Sequence, residues 1–365
     1  MLPFADSSSR PPLAGLPPAS YRCTMTHLHL CKTGFERMLE RELPLHGEKA
    51  TRVGPGWVLA APGRSAVAEQ GLDPGFCFAT ASVLDARLVA VESANRTAEA
   101  LCEAVWQGFQ NREVPGSWPL HLEADDEDLT ARLRVARGEF RKRLKRKMGR
   151  LAGLAEESPA ERGELWHGLY ARLVGYGELL VGNEVREWGQ RRMRDTEDAP
   201  SRSYLKVEEA YGILGRAPGL RETVVDLGAA PGGWSFSAAE KGATVQAVDN
   251  GPLKGGAKDH PGIRHVPEDA FRFRPADKGV DWLFCDMIES PYRVLDEILL
   301  PWIDRGWCRR FVVNLKVGKM DPIPLLQRLH GDGRRGLRPR CQICRIRQLF
   351  HDREEITCVG EVARD

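Results

Sequence analysis

The chain has 365 residues, 42% of them hydrophobic, and carries 53 Lys+Arg against 51 Asp+Glu for a formal charge of +2. That length makes room for about two to three domains with real cores. Its 37 Gly and 24 Pro fall short of the ~25–30% that marks low-complexity chains, so a collagen, a wholly disordered chain and a charge-driven tail protein are excluded. Taken as a sum, a charge this near zero argues weakly against a nucleic-acid partner.

Residues 1–24, rich in Ser and Pro, read as a disordered extension without the apolar core of a signal peptide. No apolar run reaches the ~18 residues of a spanning helix, so no membrane is expected. Nine scattered cysteines are the usage of a reduced, cytoplasmic protein rather than a disulfide scaffold.

In chain order, His27-Leu28-His29-Leu30 alternates as a strand, and Arg37–Arg41 reads as a helix. Trp57–Ala60 follows a Gly-Pro-Gly turn as a second strand. Strand signals recur at Ala86–Glu92, Pro119–Ala124 and Leu165–Val174, and helical spacing at Thr97–Phe109 and Leu129–Leu154. The irregular order predicts an α+β region, divided into a module over 25–74 and a second over 75–185. A linker is expected over 186–200.

From residue 201 to 365 the grammar changes to short apolar runs alternating with helices: Thr223–Leu227, Thr244–Val248, Gly262–Val266, Asp281–Cys285 and Arg310–Leu315. This predicts an α/β Rossmann-like domain with a mainly parallel sheet. Arg340–Phe350 and Ile356–Val362 are too close for a crossover helix, so an antiparallel hairpin is expected at the sheet edge.

The sharpest motif runs from Val224 to Ser235, a strand, a glycine-rich turn and a helix. Gly228, Gly232 and Gly233 remove side chains where a ligand meets the backbone, with Ala230 and Pro231 between them. The spacing is not Gly-x-Gly-x-x-Gly, which disfavours a nicotinamide oxidoreductase. Asp249 ends the next strand, where an acid takes ribose hydroxyls, and Asp269 and Asp286 follow at later strand ends. In isolation each acid would be a helix cap. In series with the glycine loop they read as a cofactor site.

These residues, with Ser201–Ala210, Asp249–Pro252, Cys285–Met287, Gly306–Arg309, Asn314–Lys316 and His351–Glu355, carry a resemblance. The chain resembles the RlmM family of bacterial 23S rRNA 2′-O-ribose methyltransferases, within the RrmJ/FtsJ-like group. The likeness is dense over 200–365 and looser over 26–185, where it resembles that family's ferredoxin-like and THUMP RNA-binding region. It implies a Class I methyltransferase domain and S-adenosylmethionine as cofactor, with Ser203 joining Gly228, Ala230, Pro231, Gly232, Gly233, Asp249, Asp269 and Asp286 around it. It implies a catalytic set of Lys206, Asp286, Lys316 and Glu355, with Glu354 as the near alternative to Glu355. The substrate it implies is a cytidine in the peptidyl-transferase region of 23S rRNA, free or in an assembling large subunit; no stable protein partner is evident. The chain departs at Ala230, where the family often has Cys, and after Lys316, where the family is more basic.

Chemistry explains such a set. A ribose hydroxyl must lose its proton as it attacks a methyl group. An ordinary lysine, with pKa ~10.4, is protonated at neutral pH and cannot take it. A second lysine and a dry pocket would lower that pKa, which assigns Lys316 as base and Lys206 as the group that crowds it, with Asp286 and Glu355 holding the amines. A lone Lys206 on a helix would more often be a solvated residue.

No metal is expected: Cys341 and Cys344 have no second pair, and on a regular strand they would face opposite sides. Between Arg132 and Arg150 lie ten Lys/Arg and one acid, a run that suits phosphates, and a second cluster spans Arg334, Arg335, Arg338, Arg340, Arg345 and Arg347. Removing the +9 of the first run from the +2 total leaves the rest of the chain at −7. Placement of charge therefore reopens the RNA reading that the sum disfavoured. The alternative of another class is a non-catalytic RNA-binding or ribosome-assembly protein with a vestigial methyltransferase fold.

Overall fold

A computed structural model describes residues 26–63, 75–114, 116–157, 164–196, 198–275, 279–333 and 335–363. The N-terminal extension, Cys23 and Arg334 lie outside them. Among the described residues no helix is long and apolar enough to cross a membrane.

The N-terminal half builds one sheet from β1 (Thr26–Cys31), β2 (Lys49–Gly54), β3 (Trp57–Ala61), β4 (Ala79–Ala90), β5 (Trp118–Ala124), β6 (Ala155–Glu156), β7 (Leu165–Gly175) and β8 (Glu178–Glu187). Their order is β2-β3-β1-β4-β8-β7-β5-β6. The segments expected as separate modules, 25–74 and 75–185, thus share a continuous sheet. α1 (Glu36–Glu42) leads into a 3₁₀ turn, Leu43–His46. α2 (Ala94–Phe109), α3 (Glu127–Lys147) and α4 (Gly149–Leu154) complete this half. α3 starts where the Asp126 side chain accepts the Leu129 N–H at 2.7 Å. It buries Leu129, Leu133, Ala136, Phe140 and Leu144, a stripe at helical spacing that leaves its cations on the remaining faces.

The C-terminal half is a seven-stranded sheet in the order β11-β10-β9-β12-β13-β15-β14. Its strands are β9 (Thr223–Leu227), β10 (Thr244–Val248), β11 (Ile263–Val266), β12 (Val280–Cys285), β13 (Cys308–Lys316), β14 (Cys341–Arg347) and β15 (Glu355–Val362). The first five are parallel, and β15 runs antiparallel between β13 and β14. One face packs under α5 (Tyr204–Leu214) and α6 (Gly233–Glu240), burying Trp234, Trp282 and Phe284. The other lies under α7 (Pro291–Arg293), a π-helical stretch Val294–Leu299, α8 (Leu300–Asp304) and α9 (Ile323–His330). Full burial of such side chains contributes about 1.5–3 kcal/mol each.

The two halves share a core. Leu39, Leu43 and Phe76 pack in one apolar cluster with Leu326, Leu329 and Ile346. The expected linker is docked: Arg191 N–H donates to Glu209 at 3.0 Å, and Trp188 is buried. Arg347, expected among RNA-facing cations, is 2% exposed and donates to the Trp188 carbonyl at 3.1 Å. It belongs to this interface.

Candidate active site

Sheet register brings the expected catalytic residues together. In the antiparallel β13–β15 pair, Lys316 stands directly opposite Glu355 and Asn314 opposite Thr357, so all four share one face. Asp286 follows the last residue of β12, the parallel neighbour of β13. Lys206 enters from α5 and is only 9% exposed, because both sides of that short helix are covered.

Lys316 Nζ donates to Asp286, to Asn314 Oδ1 at 2.8 Å and to Glu355 Oε1 at 3.3 Å. Lys206 Nζ donates to the same Glu355 oxygen at 3.2 Å and lies 3.7 Å from Asp286 Oδ1. Of the two adjacent glutamates it is Glu355 that meets both amines, while Glu354 is exposed and uses its carbonyl to accept from Val317 and Gly318. The expectation of a lowered lysine pKa is corrected here. Burial favours the neutral amine of Lys316, but Asp286 and Glu355 outweigh it and hold that amine above its ordinary range. Burial likewise opposes ionisation of Glu355. The Arg353 N–H and the two lysines prevail and keep its carboxyl below the usual value.

Beneath this set lies Asp352, which the sequence did not mark. Its Oδ1 accepts from Asn314 at 2.8 Å and lies 3.9 Å from Lys206 Nζ, and its Oδ2 accepts from Leu349 N–H and Thr357 Oγ1. Burial pushes its carboxyl up to about 7, against the pull of Lys206. The whole loop is clamped. Glu209, raised by burial to about 7, accepts from the Phe350 and His351 N–H groups at 2.7 and 3.2 Å. From the other half of the molecule, Lys32 donates to the Leu349 and Asp352 carbonyls at 2.6 and 2.7 Å.

Next to the lysines opens a cleft of about 400 Å³ lined by Gly228, Ala230, Asp249, Asp269, Phe271 and Asp286 among others. Gly228 sits at φ +74°, and a Cβ there would stand 2.1 Å from Met287 Cγ. Asp249 accepts from Ala230 N–H at 3.0 Å and Gly251 N–H at 2.7 Å, which uses two of about four acceptor positions. Asp269 accepts from Phe271 N–H at 2.9 Å, so it closes a turn rather than capping a helix, and it also lines the cleft. Pro231, Gly232, Gly233 and Ser203 are not in the wall. Gly232, at φ +108°, immediately precedes α6, and a Cβ there would meet Ala257 at 2.5 Å. Ser203 lies beside Gly233, its carbonyl accepting from Trp234 Nε1 at 2.9 Å. Under the loop, buried Asp226 accepts from Ser235 Oγ at 2.6 Å, and burial raises its carboxyl to about 7.

An FtsJ-like methyltransferase family model matches residues 199–309. Ribosomal RNA large subunit methyltransferase M of Alkalilimnicola ehrlichii is 38% identical over 266 residues, covering 68% of each chain. The chain belongs to the ribosomal RNA large subunit methyltransferase M family. Its namesake in Laribacter hongkongensis is 38% identical over 56% of this chain and 62% of that one. In Halorhodospira halophila the figures are 43% identity over 46% and 48%. The matches thus span about half to two thirds of the relatives' length. S-adenosylmethionine is the cofactor of this methyltransferase fold, and the cleft fits it. Glycine backbone admits close approach, Asp249 has acceptor capacity for ribose hydroxyls, Phe271 offers an apolar wall, and Asp286 bridges the cleft to the lysines.

The cysteine expectation is corrected in its geometry. A bulge between Cys341 and Ile343 shifts the register of β14, so Cys341 and Cys344 lie on one face and their thiols interact.

Proposed function

We propose that the chain catalyses S-adenosylmethionine-dependent 2′-O-ribose methylation of a cytidine in 23S rRNA of the large ribosomal subunit, in the cytoplasm. The observation that carries this is the meeting of Lys206, Lys316, Asp286 and Glu355 at the strand ends beside the glycine-lined cleft.

The cofactor, when bound, supplies an electrophilic methyl group on a sulfonium. The protein then has to place a ribose hydroxyl in line and take its proton. Lys316 is the base. Lys206 crowds it and orients the ribose, while Asp286 and Glu355 fix both amines. In the arrangement described, Lys316 is held as an ammonium. A cation in the cleft competes with it for Asp286, and like charge favours the neutral amine. The buried Asn314–Asp352–Thr357 network keeps the face rigid enough for the two lysines to share one carboxylate oxygen.

RNA is gripped away from the site by α3. Of its cations, Arg137 and Arg141 pair with Glu157 and Lys142 with Glu139. Arg134, Lys145, Arg146 and Lys147 are exposed and have no carboxylate partner among the described residues, so they are the phosphate contacts of this reading.

Ribose methylation mapped in 23S rRNA from a deletion strain tests the proposal. One ribose mark should vanish, return with the wild-type chain and stay absent with Lys316→Ala. A mark restored by Lys316→Ala overturns the base assignment. If no mark is lost on deletion, the methylation reading fails and a non-catalytic assembly role takes its place.

A further inference from the structure

The eight-stranded sheet carries a cluster of donors that the proposed reaction does not use. His27 and His29 are two residues apart on β1 and therefore project from the same face, while Leu28 between them packs into the core. Gly47, left-handed at φ +74°, ends the 3₁₀ turn and sends the chain back, so that Glu48 reaches over β1. Glu48 Oε1 stands 3.0 Å from His27 Nδ1, and Glu48 Oε2 stands 2.8 Å from His29 Nε2. One donor atom from each residue falls within 4.8 Å of the other two.

We propose that His27, His29 and Glu48 form a site for a divalent transition metal of the zinc class. Two imidazole nitrogens and one carboxylate are a donor set such ions take, with water completing a tetrahedron. Tetrahedral ligands about 2.0–2.1 Å from zinc stand about 3.3–3.4 Å apart, so the two histidine–carboxylate spacings of 3.0 and 2.8 Å need to open by a few tenths of an ångström, and the spacing between the two ring nitrogens, which is within 4.8 Å, has to settle to the same value. Solvent reaches the edge of the cluster: the His27 side chain is 20% exposed and Glu48 11%, against 1% for His29.

The second observation is how His29 is oriented. Its other ring nitrogen, Nδ1, lies 2.7 Å from Ser82 Oγ, and Ser82 Oγ also accepts from Trp188 Nε1 at 2.9 Å. Ser82 is fully buried. With a metal on Nε2, Nδ1 carries the proton and donates it to Ser82, whose two lone pairs then serve His29 and Trp188. Support of this kind on the far nitrogen is the usual companion of a metal-ligating histidine. The ion would tie β1 to the turn before β2 at the base of the N-terminal sheet. The expectation that the chain holds no metal considered only its cysteines, whereas this site uses none of them.

Zinc titrated into the full, chelator-treated chain against a chromophoric chelator tests the site. One equivalent should bind to the wild type and to Cys341→Ser/Cys344→Ser, and binding should weaken more than about tenfold in His27→Ala and in Glu48→Gln. Ser82→Ala, which removes the support of His29 together with the acceptor of Trp188 Nε1, should weaken it by about 10–100-fold in a chain shown by circular dichroism to be folded. Cobalt in place of zinc should give visible bands without a thiolate charge-transfer band. Circular dichroism of His27→Ala, altered at a partly exposed position, checks that the variant is folded. The proposal is overturned if the wild type takes up no zinc, if uptake is unchanged in folded His27→Ala and Glu48→Gln, or if the double cysteine variant abolishes it. In the first outcome the cluster is a carboxylate hydrogen-bonded by two histidines and nothing more.

Discussion

The two sheets of this molecule treat positive charge in opposite ways. In the C-terminal sheet, Lys206 and Lys316 are drawn inward until they share one oxygen of Glu355, with Asp286 and Asp352 close by. On α3 of the N-terminal sheet, the cations stand out in solvent around an apolar stripe, and the acids that meet them lie at the surface. An exposed ion pair is worth about 0–1 kcal/mol, whereas burying an amine obliges the fold to supply its partners. In the proposed reaction the inward lysines act through a particular atom and a particular protonation state. In the proposed RNA contact the outward ones act through charge alone.

Exchanging lysine for arginine breaks that comparison most sharply. Arginine keeps the charge but cannot be deprotonated in a protein. Lys316→Arg should therefore lose about 10²–10⁴-fold in single-turnover methyl transfer, as should Lys316→Ala, with S-adenosylmethionine binding retained. Lys145→Arg and Lys147→Arg together should leave RNA affinity and its salt slope alone. If Lys316→Arg stays active, the inward lysine is merely a charge.

The second test reverses sign on the outer helix. Lys145→Glu/Arg146→Glu/Lys147→Glu should lower RNA affinity more than tenfold and flatten the slope of log K against log salt by about 2–3. The rate of transfer at saturating RNA should hold. An unchanged slope would remove α3 from the RNA path.

A smaller effect is expected beneath the lysines. Asp352→Asn sets an amide donor against a network that needs an acceptor, and should cost about 1–3 kcal/mol in denaturant unfolding while Lys145→Ala costs about nothing. Smaller again is a pH effect. Asp226, Glu209 and Asp352 keep their protons in the folded chain up to about 7, whereas in the unfolded chain they lose them near 4. Between about pH 4 and 7 the folded state binds more protons, so the contribution of these groups to stability falls as pH rises. Glu209→Gln should make the fall shallower in pH-dependent melts.

Much of this was legible in the sequence, for reasons visible in particular residues. The glycine turn at Gly228–Gly233 and the strand-end acids are spaced by the βα unit itself, so order along the chain is nearly order in space. Lys316 and Glu355 were legible because both sit at the ends of apolar runs, although only register shows them face to face. β8 was missed because Gly182-Asn183 looks like a turn. In the sheet Gly182 is required by a close approach, since a Cβ would stand 2.3 Å from Val83, and Asn183 donates to the Gly168 carbonyl at 2.8 Å. β2 is a polar edge strand whose exposure alternates without an apolar run. Asp352 is a loop acid in sequence and a buried one in space. The raised pKa of Lys316 was illegible because it depends on how closely two carboxylates approach, which spacing does not give.

For the proposed reaction to proceed, an inward lysine must shed a proton. Single-turnover methyl transfer to 23S rRNA, followed from about pH 6 to 9, tests it most directly. The rate should climb with pH in the wild type, since Lys316 must lose a proton that Asp286 and Glu355 hold on its amine, and the residual rate of Lys316→Ala should be flat. A wild-type rate independent of pH, or a Lys316→Ala rate equal to it, would contradict the account.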